Sequence, residues 1–132
     1  GKARVRREGS DVSVITYGRP VRLMDEMAEK LAGEGINVEV IDLRTIAPFD
    51  EETVLNSVAK TGRAVIVHEA IKSFGTGAEI SSRIHEELFS DLKAPVQRIG
   101  SKYSPVPFSP PLEQAFLYSE DEVTTAIKRI MG

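Results

Sequence analysis

The residues with the clearest chemical potential stand around position 68. His68 and Glu69 close an apolar run, Ala64-Val65-Ile66-Val67, and six positions after Glu69 the chain reads Gly75-Thr76-Gly77 ahead of a helix-period segment. An imidazole beside a carboxylate could move a proton or hold a metal, and a glycine loop entering a helix offers free backbone N–H groups to an anion. Two further apolar runs end on polar residues, Tyr17-Gly18-Arg19 and Asp42-Leu43-Arg44. Open α/β sheets place ligands at the carboxyl ends of their strands, so these three endings are the natural site.

Each chemistry then lacks a partner. The two histidines give the pairs His68-Glu69 and His85-Glu86, but there is no His-Glu-x-x-His spacing and no cysteine to complete a metal site. No serine stands in a Gly-x-Ser-x-Gly elbow, so His68 reads as a hydrogen-bonded or interface histidine rather than a general base. His85 lies in a charged helical stretch and reads as solvated. A dinucleotide fingerprint would start directly after the first strand and carry a third glycine where Ile80 stands, so Gly75 and Gly77 read as a tight turn and close helix packing. Glu79, in the first turn of that helix, gains from its dipole. The acidic pair of a response regulator is absent at the end of the first strand, where Thr16 and Tyr17 stand. No residue is assigned a catalytic, cofactor-binding or metal-binding role.

The elements that must carry these endings follow from periodicity. Residues 12–17 read as a strand, and the helix over 20–33 places Met24, Met27, Ala28 and Leu31 on one stripe, with Pro20 in its first turn. A second strand covers 36–43. Asp50 is a fitting N-cap for a helix over 51–60 that Gly62 ends. A third strand runs over 63–68, a helix over about 77–89, and a fourth strand over 96–99. Residues 101–111 hold four of the seven prolines and are expected to lie extended over the surface. Ser119-Glu120-Asp121-Glu122 has the capping-box form and opens a closing helix with Val123, Ile127, Ile130 and Met131 on one face. Residues 3–7 are too charged for a sheet centre. They are expected at its edge, turning back through residues 8–11 into the first strand and so antiparallel to it. Alternating strands and helices predict a mainly parallel sheet covered on both faces, a three-layer α/β sandwich.

Composition narrows the classes. At 132 residues the chain fits one domain. Seventeen Lys and Arg against twenty Asp and Glu give a net charge of −3, which is no footprint for nucleic acid or an anionic membrane. No apolar run approaches the roughly 20 residues of a membrane span. The start, Gly1-Lys2, carries no initiator Met, so the chain is expected to be a piece of a longer protein. A fold that hosts sites, without a constellation that makes one, shifts weight toward packing against partners. The prolines and aromatics of 103–118 offer a contact surface for that.

The motifs Asp42-Leu43-Arg44-Thr45-Ile46-Ala47-Pro48-Phe49-Asp50, Lys60-Thr61-Gly62-Arg63, His68-Glu69-Ala70, Gly75-Thr76-Gly77-Ala78-Glu79-Ile80, Ala94-Pro95-Val96-x-Arg98 and Pro105-Val106-Pro107-Phe108 carry a resemblance. In this order they closely resemble the C-terminal, transketolase C-terminal-like domain of the beta subunit of thiamin-diphosphate-dependent 2-oxo acid dehydrogenases. The resemblance implies a three-layer sandwich on a five-stranded mixed sheet with one antiparallel strand. It implies thiamin diphosphate and magnesium in the parent enzyme, bound outside this domain, and no catalytic residue here. The implied partners are the alpha subunit, a second beta subunit and the lipoyl-bearing acyltransferase core, with its small basic binding domain. On this reading His68, Glu69, Phe74, Gly75, Gly77, Glu79, Glu120, Asp121 and Glu122 are interface candidates. The implied location is the cytoplasm of a bacterium or the mitochondrial matrix of a eukaryote. Ser104–Ser109 followed by Leu112-Glu113 looks somewhat like acetoin-type subunits, yet assigns no substrate.

Overall fold

The computed structural model describes residues 1–46, 48–71, 75–101 and 120–132. In chain order the elements are β1 (Arg4–Arg7), β2 (Val12–Thr16), α1 (Pro20–Ala32), β3 (Val38–Asp42), α2 (Glu51–Thr61), β4 (Ala64–Ile71), α3 (Thr76–Leu88), a 3-10 turn (Phe89–Asp91), β5 (Gln97–Ser101) and α4 (Glu120–Met131). The strands form one sheet in the order β1-β3-β2-β4-β5, parallel throughout except for β1.

Side chains alternate across a strand, and here the alternation builds two cores. Val12, Val14, Val38, Val40, Val65, Val67 and Ile99 face Met24, Met27, Ala28 and Leu31 of α1 and Val123, Ala126, Ile127 and Ile130 of α4. On the other face Ile15, Ile41, Ala64 and Ile66 pack on Val54 and Val58 of α2 and Ile80 and Ile84 of α3. Helices therefore cover both faces, as the three-layer reading expects, and all five residues of β2 are buried. Ser13, one of two polar residues buried within β2, meets Ser57 Oγ at 2.6 Å and Thr61 Oγ1 at 2.8 Å, which ties α2 to the sheet and pairs the Ser13 hydroxyl; the other, Thr16, keeps its Oγ1 without a partner among the described residues.

The first strand lies at the edge and runs antiparallel, but its partner differs from the expectation. It pairs with β3, Arg4 opposite Asp42 and Val5 opposite Ile41, rather than with β2. The chain reaches β2 by crossing over the start of β3 at Gly9. A β-carbon there would lie 2.4 Å from the Val38 carbonyl carbon, so only glycine permits the crossing. Other boundaries move by one to three residues; β4 extends through Ile71, past the expected end at His68.

Asp50 caps α2 as the sequence predicts. Its Oδ1 accepts the Thr53 N–H at 3.2 Å, and its Oδ2 accepts the Thr53 hydroxyl at 2.6 Å and the Ala3 N–H at 3.0 Å. One carboxylate thus starts a helix and ties down the arm ahead of β1. The Thr53 hydroxyl foremost, then the two N–H donors, hold its pKa below the ordinary 3.8 against the opposing pull of burial. Asp50→Ala should lower unfolding free energy by about 1–2 kcal/mol at neutral pH. A carboxylate with a depressed folded pKa contributes fully above its unfolded pKa and loses that contribution as pH falls through the folded one. Denaturant melts of the two proteins should therefore differ at pH 7 and converge in strong acid; an offset that persists in acid would contradict the assignment.

Candidate functional site

The strand order creates a switch point. From β2 the chain passes through α1 to β3 on one side, then through α2 to β4 on the other, so the loops leaving β2 and β4 diverge. In this architecture the crevice between such loops is where ligands bind. The structure brings two of the three strand endings together there. The Tyr17 and His68 rings stand with centroids 6.1 Å apart. Arg19 reaches across to Glu69 with a two-pronged bond, Nε to Oε1 at 3.0 Å and an Nη to Oε2 at 2.5 Å. The crevice is bridged by the chain's own side chains. Fifty positions separate Arg19 from Glu69, so no local spacing announces this pair.

His68 lies below that bridge and is fully buried. The Gly77 N–H donates to its Nε2 at 3.2 Å. An accepting nitrogen carries no proton, so the imidazole is neutral in this arrangement with its proton on Nδ1. A β-carbon on Gly77 would sit 2.6 Å from that Nε2 and 3.3 Å from Ile66 Cγ2. Gly77 is therefore needed for close approach of α3 to β4, in line with the packing role read from the sequence. The same contact commits one of the first-turn N–H groups inward, which weakens the helix start as an anion cradle. Gly75 precedes α3 in extended conformation, and Glu79 is exposed in its first turn. Two interface candidates, His68 and Gly77, thus lie inside the domain: they position the surface carrying Glu69 and Glu79 and do not form it. Phe74 and the 103–118 stretch lie outside the described residues. His85, expected to be solvated, is half-buried, with Nδ1 2.9 Å from the Ser81 carbonyl oxygen one turn back.

The acidic candidates occupy the first turn of α4, where the helix dipole favours them. Ser119, the expected cap, lies outside the described residues. The other end of α4 is fixed by Arg63, whose Nε donates to the Ile130 carbonyl at 3.0 Å and whose Nη1 donates to the Asp11 carbonyl at 3.2 Å. Glu120 accepts from Lys30 of α1 at 3.0 Å, and that hydrogen bond, with the Glu120 charge, holds the Lys30 ammonium above its ordinary pKa. Asp121 and Glu122 are exposed and line a cleft of about 410 Å³ against β5, together with Arg98 and Arg129. The surface is of mixed sign rather than uniformly acidic. Among the described residues no group of three or more His, Asp or Glu side chains could hold a metal ion. Nor is any helix among them long and apolar enough to cross a membrane.

The doubly covered sheet carries a crevice bridged by its own side chains, and comparison with known proteins gives the family of this chain. Residues 1–123 match the family model described as "Transketolase, C-terminal domain". The chain belongs to this family. It is 41% identical over 131 residues to the beta subunit of acetoin:2,6-dichlorophenolindophenol oxidoreductase of Cupriavidus necator, covering 99% of this chain and 39% of that one. It is 45% identical over 130 residues to the mitochondrial pyruvate dehydrogenase E1 component subunit beta of Dictyostelium discoideum, covering 98% and 36%. The chain thus spans somewhat over a third of the length of these curated relatives, and the beta-subunit resemblance read from its motifs holds. Among solved structures, a split-gene transketolase described as an inactive beta4 tetramer superposes with TM-score 0.83 at 25% identity, covering 98% of this chain and 41% of that one.

The His68–Gly77 contact yields a direct test. Gly77→Ala must push α3 off β4 or displace the buried imidazole, at a cost of about 1–3 kcal/mol. With His68→Ala in the same chain the obstruction is gone, so the double variant should lose clearly less than the sum of the singles in chemical unfolding. Strict additivity would mean that the two residues do not press on each other.

Proposed function

We propose that this chain is the assembly and docking domain of the beta subunit of a 2-oxo acid dehydrogenase complex. The parent enzyme decarboxylates a 2-oxo acid, or cleaves acetoin, with thiamin diphosphate and magnesium and passes the acyl group to lipoamide. This domain supplies contact surfaces to the alpha subunit, to a second beta subunit and to the lipoyl acyltransferase core. The observation that carries the reading is the bridged switch point: Arg19 and Glu69 span the crevice where this fold otherwise takes a ligand, and Gly77 gives its N–H to His68. The beta subunits among the relatives supply the parent's class.

Docking to the basic binding domain of the acyltransferase is assigned to the first turn of α4. Glu120 is half-buried against Lys30, while Asp121 and Glu122 are exposed in the same turn and carry its acidic character to the surface. Electrostatic attraction between unlike patches speeds association and is screened over about 8 Å at physiological salt. Glu69, Gly75 and Glu79, on the surface that His68 and Gly77 position, are assigned to subunit contacts. Calorimetry of the chain with the isolated binding domain should give association that weakens as salt rises from about 50 to 300 mM. Asp121→Asn with Glu122→Gln, which retains the helix, should weaken it roughly tenfold, about 1.4 kcal/mol. No association at low salt, or association indifferent to salt and to these substitutions, would overturn the docking assignment.

A further inference from the structure

On the β3 side of β2, next to the bridged crevice, lies an open cleft of about 770 Å³ where the strand endings Gly18-Arg19 and Asp42-Leu43-Arg44 meet residues of β1 and α1. Its lining is Arg6 from β1, Gly18, Arg19, Val21 and Arg22 from the start of α1, and Asp42 and Arg44 from the end of β3. Four guanidinium groups from three separate segments meet around one carboxylate, in a chain whose acidic residues outnumber its basic ones. We propose that this cleft binds the phosphoryl group of a phosphate ester.

The charges that are already balanced show which remain for a ligand. Arg6 is paired with Asp25, its Nε donating to Oδ2 at 3.0 Å, and Arg19 is paired with Glu69. Arg22 and Arg44 are exposed and form no ion pair among the described residues. Asp42 turns Oδ1 to the Arg44 N–H at 3.1 Å and adds its field to that of Asp25 at Arg6. Two forked cations therefore point into the cleft with their donors uncommitted. Guanidinium forks match the oxygens of a phosphate, and two of them balance a dianion.

The backbone agrees with the same charge. α1 opens on the cleft with Pro20 at its start, no side-chain cap and no acidic residue in its first turn. Elsewhere the helix starts carry carboxylates: Asp50, Glu51 and Glu52 at α2, Glu79 at α3, and Glu120, Asp121 and Glu122 at α4. Any of these would repel an anion, and at α1 Arg22 stands where they would. Gly18, at φ +73°, lets the chain turn from β2 into that helix beneath the arginines. The cleft is open to solvent, so the phosphoryl group is held at the floor while the rest of the ester projects outward. This site is distinct from Gly75-Thr76-Gly77 and does not depend on the docking function, because it shares no residue with α4.

Inorganic phosphate titrated into the isotopically labelled chain at constant ionic strength, followed by amide chemical shifts, tests the proposal. Saturable shifts centred on Gly18, Arg19, Val21, Arg22 and Arg44 are expected. Arg22→Gln with Arg44→Asn should weaken binding at least tenfold. Gln suits a helix, and Asn tolerates the left-handed φ of +64° at position 44, so the fold should survive. Each single variant should weaken binding in part, which keeps the test intact if the double variant proves unstable. Arg4→Gln, outside the cleft, should leave affinity unchanged. Shifts that fail to saturate or spread over all exposed arginines, or an affinity unmoved by the substitutions at 22 and 44, would overturn the proposal.

Discussion

The constraint on which this structure rests is the burial of β2 on both faces. A parallel sheet exposes no polar side, so each interior strand must be covered above and below. β2 meets this with Val12 and Val14 toward α1 and α4 and with Ile15 toward α2 and α3. Of its two buried polar residues, Ser13 is absorbed by Ser57 and Thr61, while Thr16 at the carboxyl end keeps its hydroxyl without a hydrogen-bond partner among the described residues. Because β2 is central, the loop after it stands beside the loop after β4. The same constraint that covers the sheet therefore creates the switch point and places Tyr17 and Arg19 against His68 and Glu69.

What the chain does with that position decides its functional character. A fold that binds ligands at the switch keeps small residues and free backbone donors there. Here the crevice is spanned by an arginine-carboxylate pair, and the start of α3 gives a backbone N–H to a buried imidazole. The exposed Arg19–Glu69 pair adds little to stability, of order 0–1 kcal/mol, so its importance is steric and electrostatic rather than energetic. It occupies the space and neutralises the charges that a ligand would use. The uncommitted cations lie one loop away, at Arg22 and Arg44, where α1 begins without a carboxylate.

The order of elements, both cores and the α2 cap were legible in the sequence because each depends on local period or on a capping residue a few positions from its target. Asp50 and Thr53 are such neighbours. The pairing of β1 was not legible. Its four residues carry three arginines and no alternation that selects β3 over β2, and the deciding feature is a close backbone crossing at Gly9. Gly75 and Gly77 could be read as packing glycines, but that the packed group is His68 requires the three-dimensional approach of α3 to β4. The Arg19–Glu69 bridge and the arginine cleft escaped for the same reason. Their members are scattered over β1, the β2–α1 loop, the first turn of α1 and the ends of β3 and β4, and only the strand order gathers them. In α4 the acidic first turn was plain, whereas its neutralisation by Lys30 was not.

The central claim is that this domain contributes surface and leaves the thiamin chemistry to other parts of its parent. Calorimetric titration of thiamin diphosphate with magnesium into this chain tests it most directly. The account predicts no stoichiometric binding at micromolar cofactor, and any weaker heat should be lost with Arg22→Gln and Arg44→Asn in the arginine cleft. Stoichiometric binding at micromolar concentration, abolished by substitutions around Tyr17, Arg19, His68 and Glu69, would contradict it.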